Sequence, residues 1–187
     1  MDKRVFAGIN LPLETKAKIE AALFEAEPLW KGIISPRILD RENWHITMGF
    51  FGKKSEAEIE LIKEAIEETA SAFPLPEIKL KRIVFGPTKA REARMIWLEV
   101  ESKDLKNVKE SFDRNLEKRG VILENKKFSP HITLARFEPI DFDRLPPLKK
   151  EVDLDFRAKS LDLMESVLSS KGSTYTLISE IDFGGVK

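Results

Sequence analysis

A seven-residue pattern occurs twice in this chain, and each copy begins with a histidine. The copies are residues 45–51 (HITMGFF) and residues 131–137 (HITLARF), and together they hold both histidines of the 187-residue sequence. An apolar strand-like segment, a helix-like segment and a loop come before each copy, in that order. Two units cannot form a solenoid, which needs at least three repeats, so the pattern predicts a duplicated fold with two similar lobes.

Apolar periodicity outlines the strand and the helix of each unit. In the first unit, residues 5–11 form a short apolar run that predicts a buried strand, and a helix then extends to Pro28, marked at helical spacing by Leu13, Ala17, Ala21 and Phe24. In the second unit, residues 95–100 predict the strand. A helix that stops at Gly120 follows it, marked by Leu105, Val108, Phe112 and Leu116.

A further helix between the two units has a clear beginning. Ser55 and Glu58 have the spacing of a capping box, and one helical face after them is apolar, formed by Ile59, Ile62, Ile66, Thr69, Ala70 and Phe73. The other segments predict strands, over residues 78–85, 128–137, 152–156, 158–168 and 174–183. The chain is therefore predicted to be an α+β protein in which residues 1–187 form a single bilobal domain. Each pseudo-symmetric lobe is expected to be an antiparallel sheet with flanking helices, and the symmetry would bring the two histidine-bearing strands to face each other across a groove between the lobes.

Charge and cysteine content exclude several classes of function. The 32 basic and 32 acidic residues give a formal net charge of +0, which argues against a protein that coats long nucleic acids through many phosphate contacts. A local pocket for one phosphate group is still compatible with this balance. The absence of cysteine excludes disulfides and thiolate metal sites. No segment resembles a signal peptide or a membrane span, so we expect a cytoplasmic protein without a membrane partner.

The alternation of a β-strand gives the two motifs their chemistry. Residues two apart on a strand point to the same side, so His45 projects with Thr47, and His131 with Thr133. Ile46 and the matching isoleucine of the second motif then pack into the lobe behind. Each motif thus presents an imidazole and a hydroxyl to one surface.

Two imidazoles that face one phosphorus atom suit the hydrolysis of a phosphodiester. A neutral ring removes a proton from water, and a protonated ring gives a proton to the departing oxygen. Histidine suits both tasks because its ordinary pKa is near 6.5. The near-identical motifs leave open which histidine is the acid. The threonine hydroxyls can hold the non-bridging oxygens.

A zinc site is the other chemical interpretation of two histidines. Zinc sites need three or four protein ligands, and no predicted helix carries an H-x-x-x-H or H-x-x-E pattern. The sequence therefore predicts neither a metal nor a cofactor.

The two motifs, together with the residues that flank them, make the chain resemble the 2H phosphoesterase superfamily. Within it, the chain resembles the RNA 2′,3′-cyclic phosphodiesterases, also called 2′-5′ RNA ligases. The resemblance extends over nearly the whole chain. It rests on the opening strand, the first motif with its flanks, the second motif with its preceding proline and following arginine, and a closing Gly-x-x-Tyr turn. These segments are residues 4–12 (RVFAGINLP), 42–52 (ENWHITMGFFG), 129–136 (SPHITLAR) and 171–175 (KGSTY).

The resemblance implies a bilobal α+β fold with the active-site groove between the lobes. It also implies the opening of an RNA 2′,3′-cyclic phosphate end to a 2′-phosphate. It implies that His45 and His131 are the acid–base pair, and that Thr47, Thr133 and Arg136 contact the phosphate. It also implies that some members join RNA ends through a 2′-5′ linkage. The expected partner is an RNA with a 2′,3′-cyclic phosphate end, with tRNA halves as one candidate, and the expected state is a monomer.

Other residues have weaker support from the sequence. Arg136 has the wrong parity for the histidine face of a regular strand, so it needs a bulge, a strand end or a bent side chain to reach the phosphate. Phe50 or Phe51 could stack on a base, although we favour the core for both. Tyr175, the only tyrosine, suits either the edge of the groove or a half-buried strand. A basic cluster could guide RNA but is more often a solvated surface, and it contains Lys89, Arg91, Arg94, Lys126 and Lys127.

Two alternatives to RNA cyclic phosphate hydrolysis remain. One is a phosphodiesterase that acts on small cyclic nucleotides or on ADP-ribose cyclic phosphate. The other is a non-catalytic protein that only binds RNA ends. Two complete motifs argue against the second alternative, because binding alone does not need two titrating groups.

Overall fold

The structure, a computed structural model, describes residues 2–122, 128–169 and 172–184. These residues form three α-helices: α1 (Leu13–Ala26), α2 (Glu56–Ser71) and α3 (Asp104–Glu117). They also form nine β-strands: β1 (Lys3–Asn10), β2 (Arg37–Ile38), β3 (His45–Lys54), β4 (Glu77–Gly86), β5 (Glu92–Glu101), β6 (His131–Asp141), β7 (Lys150–Arg157), β8 (Ser160–Ser169) and β9 (Gly172–Asp182).

All nine strands belong to one antiparallel sheet, with the two histidine-bearing strands at its centre. The strand order is β7-β4-β5-β6-β3-β1-β8-β9, and the short strand β2 pairs with β6. One residue pair, Ile46 with Ile132, joins β3 to β6. Four strands lie on each side of this junction, so β3, β1, β8 and β9 match β6, β5, β4 and β7 in order. The predicted α+β fold with two pseudo-symmetric antiparallel halves is confirmed.

The chain order within each half also follows the prediction. The units β1-α1-β3 and β5-α3-β6 each run from a strand through a helix to a histidine-bearing strand. The statement that residues 1–187 form a single domain stays a prediction. None of the helices within the described ranges has the length and apolar character that crossing a membrane requires.

Helices α2 and α3 form as the sequence predicts. The Ser55 hydroxyl accepts from the backbone N–H of Glu58 and the Glu58 carboxylate accepts from the backbone N–H of Ser55, so the capping box is complete. The predicted apolar face of α2 is buried except for Phe73, which lies beyond the helix and is half-buried. The four predicted apolar residues of α3 are all buried. After α3, Gly120 adopts a positive φ of 70°, a conformation that glycine tolerates and that ends the helix.

Helix α1 is present, but the apolar row that marks it in the sequence is not the row that is buried. Leu13 is 72% exposed and Phe24 is 76% exposed. The helix packs against β7, and its buried residues form the neighbouring row, which consists of Thr15, Lys16, Ile19, Leu23 and Ala26. Two apolar rows compete on this helix, and the row with Ile19 and Leu23 is the one buried. Lys16 joins this row by burying its aliphatic stem while its ammonium donates to the Glu42 carbonyl oxygen.

Candidate active site

The site lies on the exposed face of the junction between β3 and β6. Ile46 and Ile132 are fully buried on the opposite face, as the alternation predicted. In an antiparallel register fixed by this pair, His45 lies across from Thr133, and Thr47 lies across from His131. The two histidines and two threonines thus form a diagonal arrangement on one surface, which we call the seam face.

Backbone and side-chain contacts fix the imidazole of His45. Its Nδ1 lies 2.7 Å from the Asn43 carbonyl oxygen, so Nδ1 carries the proton and donates it there. Nε2 then accepts from the Thr47 hydroxyl at 3.0 Å. The ring also contacts Phe6, with ring centroids 4.7 Å apart, and Tyr175 in an edge-to-face arrangement at 5.3 Å.

The surroundings of His45 favour its neutral form. Burial lowers the pKa of His45 to about 4, and the positive charges of Lys16 and His131 add to this effect. The hydrogen bond to the Asn43 carbonyl opposes the shift but does not cancel it. His45 is therefore neutral at pH values above about 4.

His131 is held differently. Its Nδ1 donates to the Ser129 carbonyl oxygen at 2.8 Å, which again turns Nε2 toward the seam face. The ring lies flat on the indole of Trp97, with centroids 3.9 Å apart and an interplanar angle of 21°. Burial and the charge of Arg136 lower the pKa of His131, while the Ser129 carbonyl opposes the shift.

A β-bulge brings Arg136 to the seam face. Trp97 pairs with Thr133 and Ile96 pairs with Ala135, so Leu134 is an extra residue in β6. Beyond the bulge, the alternation of side chains between the two faces of the sheet is shifted by one residue. Arg136 therefore lies on the same side as His131 and Thr133. Of the three routes that the sequence left open for Arg136, the bulge is the one that the chain uses.

A matching bulge in β3 brings Phe50 to the same face. Gly8 pairs with Thr47 and Ala7 pairs with Gly49, so Met48 is the extra residue. Phe50 is 55% exposed, and the expectation that it belongs to the core is wrong because the sequence pattern gives no sign of the bulge. Phe51 does lie in the core, where it meets Phe112 edge-to-face. Phe50 and Arg136 therefore occupy equivalent positions in the two halves.

The remaining predicted residues divide between the site and the surface. Tyr175 contacts both Phe6 and His45, so it flanks the seam face. Lys89, Arg91 and Arg94 are exposed at the β4–β5 turn, where Arg91 pairs with Asp141 at the end of β6 farthest from His131. The structure does not bring this turn to the histidines. Lys126, Lys127 and Lys171 lie outside the described residues.

Several residues that the sequence analysis missed shape the site. They are Phe6 beside His45, Trp97 beneath His131, and the residues Asn43 and Ser129 that anchor the rings. One signal was available: Asn43 and Ser129 both lie two residues before a histidine. Phe6 and Trp97 could not be found this way, because strand register decides which ring contacts which histidine.

The arrangement can transfer protons and bind an anion. Two Nε2 atoms, two hydroxyls and one guanidinium share the seam face, and the two imidazoles have different environments. Within residues 2–122, 128–169 and 172–184, no group of three or more histidine, aspartate or glutamate side chains is placed to hold a metal ion. The chemistry that these groups offer by themselves is acid–base catalysis at a phosphoryl centre.

Comparison with known proteins agrees with this geometry. The family model described as LigT like phosphoesterase matches the chain twice in succession, over residues 22–97 and 98–175. The RNA 2′,3′-cyclic phosphodiesterase of Methanocaldococcus jannaschii is 32% identical over 183 residues, which cover 95% of this chain and 99% of that protein. The protein of the same name from Aquifex aeolicus is 32% identical over 155 residues, covering 79% and 81%.

Solved structures share the fold over almost the full length. The Thermus thermophilus protein TT0787 has a TM-score of 0.78 and 25% identity, covering 97% of this chain and 98% of that one. E. coli LigT complexed with 3′-AMP has a TM-score of 0.72 and 20% identity, covering 98% and 99%. The expected superfamily is confirmed: the chain belongs to the LigT-like phosphoesterases of the 2H superfamily.

Proposed function

We propose that this chain hydrolyses the 2′,3′-cyclic phosphate at the end of an RNA, leaving a 2′-phosphate. The observation that carries the proposal is the diagonal arrangement on the seam face, in which each histidine has its Nδ1 anchored on a backbone carbonyl. The relatives named RNA 2′,3′-cyclic phosphodiesterase support the choice of substrate and reaction.

The reaction needs one base and one acid on opposite sides of the phosphorus atom. Nε2 of His45 removes a proton from water, the water oxygen forms a bond to phosphorus, and the bond from phosphorus to O3′ breaks. Nε2 of His131 gives its proton to O3′, which leaves a 3′-hydroxyl and a 2′-phosphate monoester. Burial lowers the pKa of His45 to about 4, which supports its assignment as the neutral base.

Arg136 and the two threonines bind the phosphate in this proposal. The guanidinium has two parallel donors suited to phosphate oxygens, and its charge offsets the charge that develops on them. Thr47 donates to His45 Nε2 in the structure, so it must turn its hydroxyl toward a phosphate oxygen when substrate binds. Thr133 is half-buried on the same face and can do the same.

Product analysis tests the proposal directly. A short RNA that ends in a 2′,3′-cyclic phosphate is incubated with the protein and a chelator, without added divalent metal. We expect a 2′-phosphate product at an undiminished rate with chelator. A 3′-phosphate would contradict the assignment of O3′ as the leaving group, and the absence of any product would overturn the function.

The same assay separates the alternatives. A phosphodiesterase for small cyclic nucleotides or ADP-ribose cyclic phosphate would prefer those substrates to the RNA. A non-catalytic RNA-end binding protein would bind the RNA without turnover. The use of tRNA halves, the 2′-5′ ligation activity, the monomeric state and the cytoplasmic location stay predictions, together with the single domain over residues 1–187.

The pH dependence of kcat/KM follows from the two imidazoles. A base is active when deprotonated, so activity falls as the pH drops through the pKa of His45, about 4. An acid is active when protonated, so activity falls as the pH rises through the lowered pKa of His131. We expect a bell-shaped profile with its maximum on the acidic side of pH 6.5. A maximum above pH 6.5 in initial-rate measurements would contradict this prediction.

Phe50 is expected to stack on a nucleobase next to the phosphate. It is exposed on the seam face, with Phe6 beside it at a ring-centroid distance of 5.8 Å. Replacing Phe50 by Ala should raise KM for cyclic-phosphate RNA roughly tenfold, since base stacking on an aromatic ring contributes on this scale.

The matched control is Phe24→Ala, which removes another exposed phenylalanine on α1, away from the seam face. Its KM should equal that of the unmodified protein. Ribose 2′,3′-cyclic phosphate, which lacks the base, should be hydrolysed equally well with or without the Phe50 ring. An equal loss on the base-free substrate would assign Phe50 a structural role instead.

A further inference from the structure

Trp97 forms the platform under His131. It lies on β5 and pairs with Thr133, so its side chain shares the seam face with His131 and is only 9% exposed. The indole and imidazole are nearly parallel at 3.9 Å. This contact is closer and flatter than the contacts of His45 with Phe6 and Tyr175.

The indole is itself held in place by its neighbours. A Cβ atom at Gly86 on β4 would lie 2.4 Å from Cδ2 of Trp97, so only glycine leaves room for the ring here. The indole Nε1–H donates to the Met95 sulfur at 3.3 Å, and the same sulfur accepts from Nη1 of Arg136 at 3.7 Å. Trp97 therefore occupies one defined position between β4 and the phosphate-binding arginine.

The equivalent position in the other half carries no side chain. Gly8 pairs with Thr47 as Trp97 pairs with Thr133. A Cβ atom at Gly8 would lie 3.2 Å from Cδ2 of His45 and 3.0 Å from the Ile46 carbonyl oxygen, so a bulky residue does not fit there. The two halves thus support their histidines by different means, although the motifs are almost the same in sequence.

We propose that Trp97 is a positioning residue for His131. Its indole fixes the plane of the imidazole, while the Ser129 carbonyl fixes the rotation of the ring, so that Nε2 stays directed at the leaving oxygen. The indole face also attracts the imidazolium through a cation–π interaction, which favours the protonated ring that an acid requires. This inference rests on the proposed function, because it assigns a task within the same reaction.

The charged groups around His131 do not favour its protonated form. Arg136 on β6 and His45 on β3 disfavour the protonated ring when they carry charge. Glu99 pairs with His131 in the register, but its carboxylate binds the guanidinium of Arg82 on β4 at 2.6 Å. Trp97 and the Ser129 carbonyl are thus the two described ring contacts that favour the imidazolium.

A fluorescence titration without substrate tests the stack. A protonated imidazole in contact with an indole quenches its fluorescence, so the emission should rise as the pH passes upward through the pKa of His131. The step should vanish in Trp97→Phe and in His131→Asn, and it should persist in His45→Asn. A step that survives in either of the first two variants overturns the proposal. Because no substrate is used, this result does not depend on the proposed function.

Kinetics of Trp97 variants test the effect on catalysis. Trp97→Leu should lower kcat roughly threefold to tenfold with little change in KM, the scale of a lost cation–π contact. It should also move the alkaline limb of the kcat profile to lower pH, because the protonated ring loses its partner. Trp97→Phe, which keeps an aromatic face, should restore most of kcat and of the shifted limb.

Gly86→Ala displaces the indole without deleting it, and it should reproduce the shift of the alkaline limb. This variant keeps the proposal testable if Trp97→Leu does not fold. A folded Trp97→Leu or Gly86→Ala protein with an unchanged pH profile would overturn the proposal. The proposal would also be overturned if Trp97→Leu lowered kcat without moving the alkaline limb and Trp97→Phe did not restore kcat. That result would assign Trp97 a purely structural role.

Discussion

Replacing His45 or His131 by alanine is expected to lower kcat for cyclic-phosphate RNA by about 10² to 10⁴-fold, the usual contribution of one acid–base group. Each variant removes one of the two proton-transfer groups that the seam face offers. The double variant should lose little more than the worse single variant, because the two groups act in one step and their losses are not additive. Single-turnover rates with the same RNA measure the effect.

A second pair of variants separates proton transfer from ring anchoring. Asparagine can replace the hydrogen bond from Nδ1 to the Asn43 or Ser129 carbonyl, but it cannot transfer a proton. His45→Asn and His131→Asn should therefore be as inactive as the alanine variants while binding a 2′-phosphate product RNA normally. Near-normal turnover in either folded variant would contradict acid–base catalysis.

The leaving group distinguishes the acid from the base. If sulfur replaces the departing 3′ oxygen, the thiolate leaves without needing a proton, since thiols have a pKa near 8.5. This substrate should restore turnover in His131→Ala and not in His45→Ala. The opposite pattern would exchange the two assignments while leaving the two-histidine mechanism intact.

Replacing Arg136 by glutamine is expected to lower kcat/KM by about 10² to 10³-fold, the range for losing one preorganised donor to a developing negative charge. The guanidinium is carried to the seam face by the bulge at Leu134 and lies beside the Met95 sulfur. Inhibition by inorganic phosphate should weaken in parallel, because the same donors bind the free anion. Arg136→Lys should recover only part of the loss, since an ammonium lacks the two parallel donors of a guanidinium.

Arg94→Gln is the matched control for Arg136→Gln. It removes the same charge from β5, where Arg94 is exposed close to the β4–β5 turn. Its kcat/KM should be unchanged at moderate salt. If both variants lost activity equally and the loss disappeared at high salt, Arg136 would act through long-range attraction of RNA rather than by phosphate contact.

Much of the fold could be predicted because local patterns agree with the tertiary structure. The capping box at Ser55 and the apolar row of α3 required no knowledge of distant residues. The alternation around His45 and His131 correctly gave the face of each motif, because Ile46 and Ile132 are unambiguous core residues. The buried face of α1 could not be predicted in this way, because two apolar rows lie on the helix and tertiary packing decides which of them is buried.

The site could be predicted only as far as regular strand geometry applies. Both bulges come directly after the His-Ile-Thr segments, at Met48 and Leu134, and neither residue differs from an ordinary strand residue. The face of the sheet on which Arg136 lies, and the exposure of Phe50, could therefore be found only from the structure. The same is true of Trp97, whose contact with His131 depends on the register between β5 and β6 and on the absence of a side chain at Gly86.

The two bulges also determine which changes in chain length the protein can tolerate. Deleting Leu134 would keep every residue that we assign to the chemistry, yet it would turn Arg136 to the opposite side of the sheet and leave His131 and Thr133 in place. Deleting Met48 would do the same to Phe50. Substitutions at these two positions by other apolar residues should be mild in comparison. Among natural or engineered variants, the number of residues from His45 to Phe50 and from His131 to Arg136 should therefore vary little. The identity of the bulge residue between them should vary more.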